Sequence, residues 1–418
     1  MDPQLTPEQQ LVADEIIAWA KNGEATFMGL SGAAGTGKTF LLRFLKSAFK
    51  EGYPGGALWS AMTGKAALRL SELAGVAATT FHKVFYEAPE DKPGAPSFSV
   101  VRDLEEVGVG LLVVDEASMM GPDVFSTLKN NWGRQGVKIL LVGDGFQLPP
   151  VMSKQEERDW GTDFSVFAEV PTVSLKTVMR STSDVLWAAT QIREHGVLPK
   201  ESRGAYSYLR TPSVSTHAAD KYGGVGKVGP PLGLITWRNE IRMRTNAMIR
   251  SRVGRGDNPE PGEPILACKN GYGRMNGEVV KLTDLSYVDR VGDVVLYRMV
   301  ADDGRLSLVT ISGNAAFMDG GQPFLEREAW NTYRAALRKR NWFDPVPITW
   351  GYVLTAHKAQ GSEFDEVVVF LTERDTMNPA MFKQSALPDG KSVPFWRRWI
   401  YTALTRAKTK VSIVVGGE

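Results

Sequence analysis

Gly32-Ala33-Ala34-Gly35-Thr36-Gly37-Lys38-Thr39 is the stretch on which the fold turns. It has the form G-x-x-x-x-G-K-[ST], a loop whose glycines let successive backbone N–H groups point at phosphate oxygens. Apolar Thr26–Leu30 precedes it and the run Phe40–Leu45 follows, so the order is strand, loop, helix, the context this loop requires. In that setting Lys38 would reach β- and γ-phosphates, the Thr39 hydroxyl would hold Mg²⁺, and the helix N-terminus would add partial positive charge. All fixed positions match, which a chance Gly-rich turn does not explain.

Outward on the N-terminal side, Leu5–Gln10 opens a helix, with Thr6 as N-cap, Pro7 in the first turn and Gln9 completing a capping box. Gln9 is read either as a cap alone or as a side chain lying beside a nucleotide base. On the C-terminal side, the strand Gly56–Ala61 runs into Met62–Leu70 as another α/β unit. Thr63, Gly64 and Lys65 suit a phosphate at that helix start, or form an ordinary turn with a solvated lysine. Thr80, Phe81 and His82 come next, a lone histidine such as His82 being more often a packing or capping residue than a ligand. Val84–Tyr86 and Phe98–Val101, split by the Pro/Gly-rich Pro93–Pro96, predict a small hairpin. Leu111–Val114 is a buried parallel strand ending in Asp115 and Glu116. Downstream of a phosphate loop, such a pair serves to hold Mg²⁺ through water (Asp115) and to polarise an attacking water (Glu116). Lys138–Asp144 is a further buried strand leading to Gly145–Pro150, whose Gln147 could donate to a γ-phosphate. Val173–Leu175 is a short strand, with Arg180 five residues on.

The bulk numbers set limits. The chain has 418 residues, 43% hydrophobic and 23% charged, with net charge +2; this is ordinary globular composition, long enough for more than one domain. No global basic field exists, so any nucleic-acid site must be local. A single cysteine, Cys268, excludes internal disulfides, and four scattered histidines do not make a zinc site. No apolar run approaches the ~20 residues of a membrane span, and Met1–Gln4 does not read as a signal peptide. The expectation is a soluble, cytoplasmic protein of a reducing compartment with no membrane partner.

Residues 201–230 are rich in Ser, Thr, Gly and Pro and predict a connection. A second α/β unit begins at Leu232–Thr236; its helix carries Arg238, Arg242, Arg244, Arg250 and Arg252, expected as a solvated basic face. From 271 to about 322 the pattern alternates with period two, predicting a small antiparallel barrel, and a helix with Leu325, Ala329, Tyr333 and Leu337 on one face follows. The α/β unit resumes at Thr349–Leu354 and closes with Ile400–Ala407 and the strand Val411–Val415.

Taken together and in this order, these stretches resemble a superfamily 1B DNA helicase of the RecD/Dda type. The resemblance implies an α/β fold of two RecA-like P-loop cores, with a β-hairpin insert in the first and an SH3-like barrel insert in the second. It divides the chain into a first core (1–83 and 109–200), a pin hairpin (84–108), a connection (201–230), a second core (231–270 and 346–418) and an SH3-like insert (271–345). By position, Gln9 is similar to the family's adenine-reading glutamine, and Gly32 to Thr39 is motif I, with Phe40 beside it as a further nucleotide-binding residue. Thr63, Gly64 and Lys65 resemble motif Ia, and Thr80, Phe81 and His82 motif Ib. Asp115 and Glu116 are motif II, Gly143–Pro150 motif III, Arg180 motif IV, His357–Glu363 motif V and Arg406 the motif VI arginine finger. Glu363 would lie near the ribose; Thr355, His357, Lys358 and Pro149 would lie towards DNA. Met62 stands where the family often has proline.

The implied activity is ATP hydrolysis with Mg²⁺ in a cleft between two cores, coupled to movement along single-stranded DNA, 5′ to 3′, and to separation of forked or tailed duplex. The protein would act as a monomer, with replication or repair proteins as possible partners. Two rivals stay open on sequence alone: an ATP-switched single-strand-binding protein that does not unwind, and an RNA helicase of the same superfamily. Trp237 and Phe81 are candidates for stacking on bases, or are core residues.

Overall fold

The computed structural model describes residues 4–52, 56–86, 101–103, 107–179, 184–224, 232–256, 258–268, 274, 277–291, 294–312, 335 and 345–417. Short aliphatic runs buried on both faces form its first sheet: β1 (Phe27–Gly32), β4 (Leu111–Asp115) and β5 (Lys138–Gly143), with β2 (Ala57–Ala61), β3 (Ala78–Thr80) and β6 (Thr172–Leu175). The strand order is β3-β2-β4-β5-β1-β6 and every pairing is parallel. Successive side chains point to opposite faces. Leu112, Val114, Ile139 and Leu141 therefore join one core with Phe125 and Trp132, while Leu111, Val113, Leu140 and Val142 join another with Trp19 and Trp59. The helices α1 (Pro7–Asn22), α2 (Lys38–Gly52) and α3 (Gly64–Ala74) surround this sheet. Gly32, Asp115 and Gly143 all end their strands at its carboxyl edge, where ligands gather in open parallel sheets.

A second parallel sheet has the order β14-β8-β15-β18-β7, from β7 (Tyr206–Thr211), β8 (Leu232–Thr236), β14 (Val353–Thr355), β15 (Phe364–Thr372) and β18 (Ala407–Gly416). A closed barrel is built from β9 (Pro264–Ala267), β10 (Val279–Val291), β11 (Val294–Ala301), β12 (Leu306–Ser312) and β13 (Val346–Trp350). A two-stranded hairpin, β16 (Gln384–Ala386) and β17 (Ser392–Pro394), precedes the helix Phe395–Leu404.

Several expectations need correction. The segment 201–230 is more than a connection: it supplies β7, the edge strand paired with β18, and the helix Val214–Gly224. The helix Asp184–Thr190, expected in the first core, contributes Val185, Ala188 and Ala189 to the core under the second sheet. The barrel reaches beyond 271–345, because β9 and β13 pair with each other and close it. Thr349–Leu354 is therefore split at Gly351 between the barrel and β14. Val84 and Phe85 are helical, in α4 (Phe81–Phe85), since the Phe81 and Phe85 rings stack one turn apart at 5.1 Å. Beyond α4, Tyr86 bridges Val101 in antiparallel fashion; the rest of the expected hairpin, 87–100 and 104–106, lies outside the described residues, as do Arg180 and the helix carrying Leu325 and Tyr333. The helix Asn239–Arg252 is not a solvated basic face: Arg242 and Arg250 are buried, and Arg250 pairs with buried Glu263 at 2.7 Å.

Candidate active site between two sheets

The loop after β1 is a closed backbone cradle. Gly35 and Gly37 have φ of +81° and +87°, a region that glycine enters without steric cost. A Cβ on Gly37 would also lie 2.5 Å from Gln9 Nε2. Gln9 is the capping residue its position suggested, and it also reaches the phosphate-loop backbone. Its side-chain oxygen accepts the Thr6 N–H at 3.1 Å as a capping box, and its Nε2 donates to the Thr36 carbonyl at 3.2 Å, bracing the loop. Lys38, at the start of α2, donates through Nζ to the carbonyls of Gly32 at 2.7 Å and Ala33 at 3.2 Å. Burial pushes its pKa down, opposed by the charges of Asp144, Glu116 and Asp115. Thr39 and Phe40 occupy the same first turn of α2, both half-buried.

Glu116 is the one described non-glycine residue with positive φ, at φ 54° and ψ 34°. Such backbone is held only where its surroundings enforce it, at about 1–3 kcal/mol. The turn folds the chain back so that the Glu116 N–H donates to Asp115 Oδ1 at 2.8 Å. Burial first, and the Glu116 charge second, push the Asp115 carboxyl up to about 6. Asp144, fully buried beyond β5, behaves oppositely. Burial raises its carboxyl, but Arg193, Lys38 and the Tyr401 hydroxyl outweigh that and hold it below its ordinary value.

The helix Phe395–Leu404 of the second half lies across this edge. On its inward face Arg398 donates to the Gln147 carbonyl at 2.9 and 2.6 Å, the Thr402 hydroxyl accepts the Leu148 N–H at 3.0 Å, and the Tyr401 hydroxyl accepts the Ala34 N–H at 3.0 Å. Burial pushes Arg398 down to about 10, so it stays charged at neutral pH. Gln360 adds a donor to the Leu148 carbonyl at 3.3 Å. Phe146 and Leu148 of the first half share one apolar core with Trp399, Tyr401 and Leu404 of the second. The Gly32–Thr39 loop, the buried Asp144 carboxylate and the Gln147 backbone thus meet a helix from another sheet.

Residues 4–206 match a family model described as an AAA domain. The chain is 27% identical over 427 residues to the ATP-dependent RecD2 DNA helicase of Deinococcus radiodurans, covering 97% of this chain and 48% of that one. It is 29% identical over 191 residues to the ATP-dependent DNA helicase dda of Enterobacteria phage T4, covering 44% and 42% of the two chains. A solved Pif1 helicase structure, from work on unwinding at forked double-stranded DNA, aligns with a TM-score of 0.53 at 21% identity, over 99% of this chain and 92% of that one, which shows a shared fold. The chain is thus similar to ATP-dependent DNA helicases of the RecD2 and Dda kind and shares its fold with a Pif1 helicase. It spans about half the length of the RecD2 relative.

The segment His357–Glu363 of the second half touches the start of α3. A Cβ on Gly361 would lie 2.3 Å from Thr63 Oγ1, and Glu363 forms an ion pair with Arg69 of α3. Thr63 caps α3 by accepting the Ala66 N–H at 3.2 Å; Gly64 and Lys65 are exposed at its start, Lys65 within the field of Glu278 and Asp302 of the barrel. Thr355, the last residue of β14, and His357 and Lys358 beyond it are half-buried; burial pushes His357 down to about 4 and lowers Lys358 as well. Thr80 is buried with its hydroxyl unpaired, and burial also lowers the His82 pKa. Phe81 needs correction as a base-contacting side chain. It is fully buried against Phe85 and Tyr86, so no base can stack on it. Trp237 likewise packs edge-on against Phe395 and Trp399. Pro149 is buried, and the exposed surface of that loop begins at Val151.

Gln147 is buried with its side-chain oxygen unpaired. Arg406 is buried and bonds back to its own helix end, to the Thr402 carbonyl at 3.1 Å and the Thr405 hydroxyl at 3.2 Å. Sequence reasoning missed Tyr401, Thr402, Arg398, Arg69 and Arg193 as site neighbours. The first two stand inside the closing stretch Ile400–Ala407 and Arg398 two residues before it. Arg193 has no motif around it and was legible only in space.

Proposed function

We propose that the chain hydrolyses ATP between its two sheets and uses the cycle to move along single-stranded DNA and part duplex. The observation that carries this is the Tyr401–Ala34 contact: a helix of the second sheet rests on the phosphate loop of the first. In this reading the two sheets are RecA-like cores, the barrel is an SH3-like insert and 84–108 is the pin. ATP fits the loop, because the positive φ of Gly35 and Gly37 opens a nest of N–H groups that any side chain would close. Mg²⁺ fits as well: the Thr39 hydroxyl and the Asp115 carboxylate are hard oxygen donors, and Asp115 stands beside a second carboxylate with its own pKa raised. Once bound between them, the ion would offset charge on the phosphates.

Lys38 leaves its internal carbonyl partners for the phosphates. Glu116, presented by its left-handed turn, accepts the proton of the attacking water. Gln147 offers its side chain to the γ-phosphate, with Arg180 and Arg406 as the neutralising cations. Arg406 is folded onto its own helix end in this state, so its use requires a shift of the Phe395–Leu404 helix. Turnover then depends on how the two sheets close. Glu363 serves the nucleotide side of motif V. Thr63, Gly64, Lys65, Thr355, His357 and Lys358 track the DNA backbone with hydroxyls, cations and helix starts; Thr80, His82 and the backbone of Phe81 and Pro149 line the same path. DNA rather than RNA follows the RecD2 and Dda relatives, which are named DNA helicases; 5′ to 3′ polarity follows the family resemblance alone. A monomer in a cytoplasmic compartment completes the reading; no helix of the described residues is long and apolar enough to cross a membrane.

The test is unwinding of duplexes with a 5′ or a 3′ single-stranded tail, in DNA and in RNA, with ATP turnover followed in parallel. Unwinding of the 5′-tailed DNA, lost in Lys38→Ala, is expected. Turnover without unwinding of any substrate would favour a nucleotide-driven binding switch.

A further inference from the structure

The Tyr401 hydroxyl has one donor and two acceptor positions, and all are used. It donates to Asp144 Oδ2 at 2.6 Å and accepts from the Ala34 N–H at 3.0 Å and from Arg193 Nη1 at 3.2 Å. Arg193 also donates to Asp144 Oδ1 at 2.8 Å, and its guanidinium lies over the Phe146 and Tyr401 rings. Packing alone does not need this hydroxyl: the ring, 1% exposed and edge-on to Phe146 at 5.1 Å, would fill the same space as phenylalanine. The four residues divide between the halves. Ala34 and Asp144 lie just beyond the ends of β1 and β5 of the first sheet. Tyr401 and Arg193 belong to the Phe395–Leu404 helix and to the turn after Asp184–Thr190, which pack under the second.

We infer that Tyr401 is a positioning residue, held by Asp144 and Arg193, that ties the backbone of the phosphate loop at Ala34 to the Phe395–Leu404 helix, so that movement of the second sheet is felt by the loop. The inference deepens the ATPase reading and rests on it for its consequence in turnover. Asp144 stays ionised and Tyr401 stays protonated, since burial and the neighbouring carboxylate raise the phenol's pKa; donor and acceptor therefore persist across the neutral range. The helix cannot shift without changing the Tyr401–Ala34 bond together with Arg398–Gln147 and Thr402–Leu148, all on one face. A displacement of about an ångström there reorients one N–H of the cradle, enough to alter a transition-state contact.

The experiment uses the full chain as wild type, Tyr401→Phe, Arg193→Gln and the double variant. Hydrogen–deuterium exchange is measured over the loop peptide without nucleotide, and ATP turnover against ATP concentration with a single-stranded oligonucleotide. Tyr401→Phe is expected to speed exchange at the loop and to lower kcat about ten-fold while KM moves less than about two-fold. The double variant is expected to cost no more than the larger single change, as in a shared network. Wild-type exchange and kcat in Tyr401→Phe, or strictly additive losses in the double variant, would overturn the inference. Absence of turnover in the wild type would defeat the ATPase reading instead, and the exchange result would still judge the Tyr401–Ala34 tie.

Discussion

Glu116 and Asp115 show how much chemistry one residue's backbone can set. The left-handed turn at Glu116 places two carboxylates side by side, and burial first, with the Glu116 charge second, raises Asp115 from 3.8 to about 6. A raised carboxyl binds its proton more tightly in the folded state. The folded chain is therefore unpenalised below the unfolded pKa, and the penalty grows as pH rises from about 4 and is complete above about 6. Asp115→Asn removes it. Without nucleotide, the variant is expected to melt above the wild type at pH 8, by on the order of 1 kcal/mol, and to lose that advantage by pH 4. An equal offset at both values would show that the pair is not strained by its charge.

At the scale of elements, the Phe395–Leu404 helix does the joining. Arg398 is buried with donors to Gln147, Ser385 and Ala386. Arg398→Ala strands those acceptors, and a loss of about 2–4 kcal/mol in denaturant unfolding is expected; a loss below about 0.5 kcal/mol would mean that water replaces the guanidinium freely. This helix also marks the limit of what the chain's order of residues discloses. The phosphate loop, β4 with its acids and β5 are legible because local patterning and loop chemistry agree there. β7 was not, since Tyr206–Thr211 is a half-exposed edge strand with weak alternation. Arg242 and Arg250 read as a charged face because charge suggests water; partners distant in sequence, Glu263 and Trp350, bury Arg250 instead. Phe81 stood in a DNA-facing motif, yet its i,i+4 partner Phe85 decided its fate.

For the whole molecule, the apolar core shared by Phe146, Leu148, Trp399 and Leu404 and the polar ties around Ala34 make the boundary between the sheets a working surface. Motif order predicted that the two halves meet over a nucleotide. It did not disclose which residues touch, because Tyr401, Arg193 and Ala34 are brought together only by folding. The most direct test compares Arg406→Ala with the wild type in one preparation, following fluorescent-ADP affinity and DNA-stimulated ATP turnover. Hydrolysis between two sheets predicts affinity within about three-fold of wild type and turnover reduced by about 10³-fold or more, the scale of a missing arginine finger. Turnover at the wild-type level in that variant would contradict it.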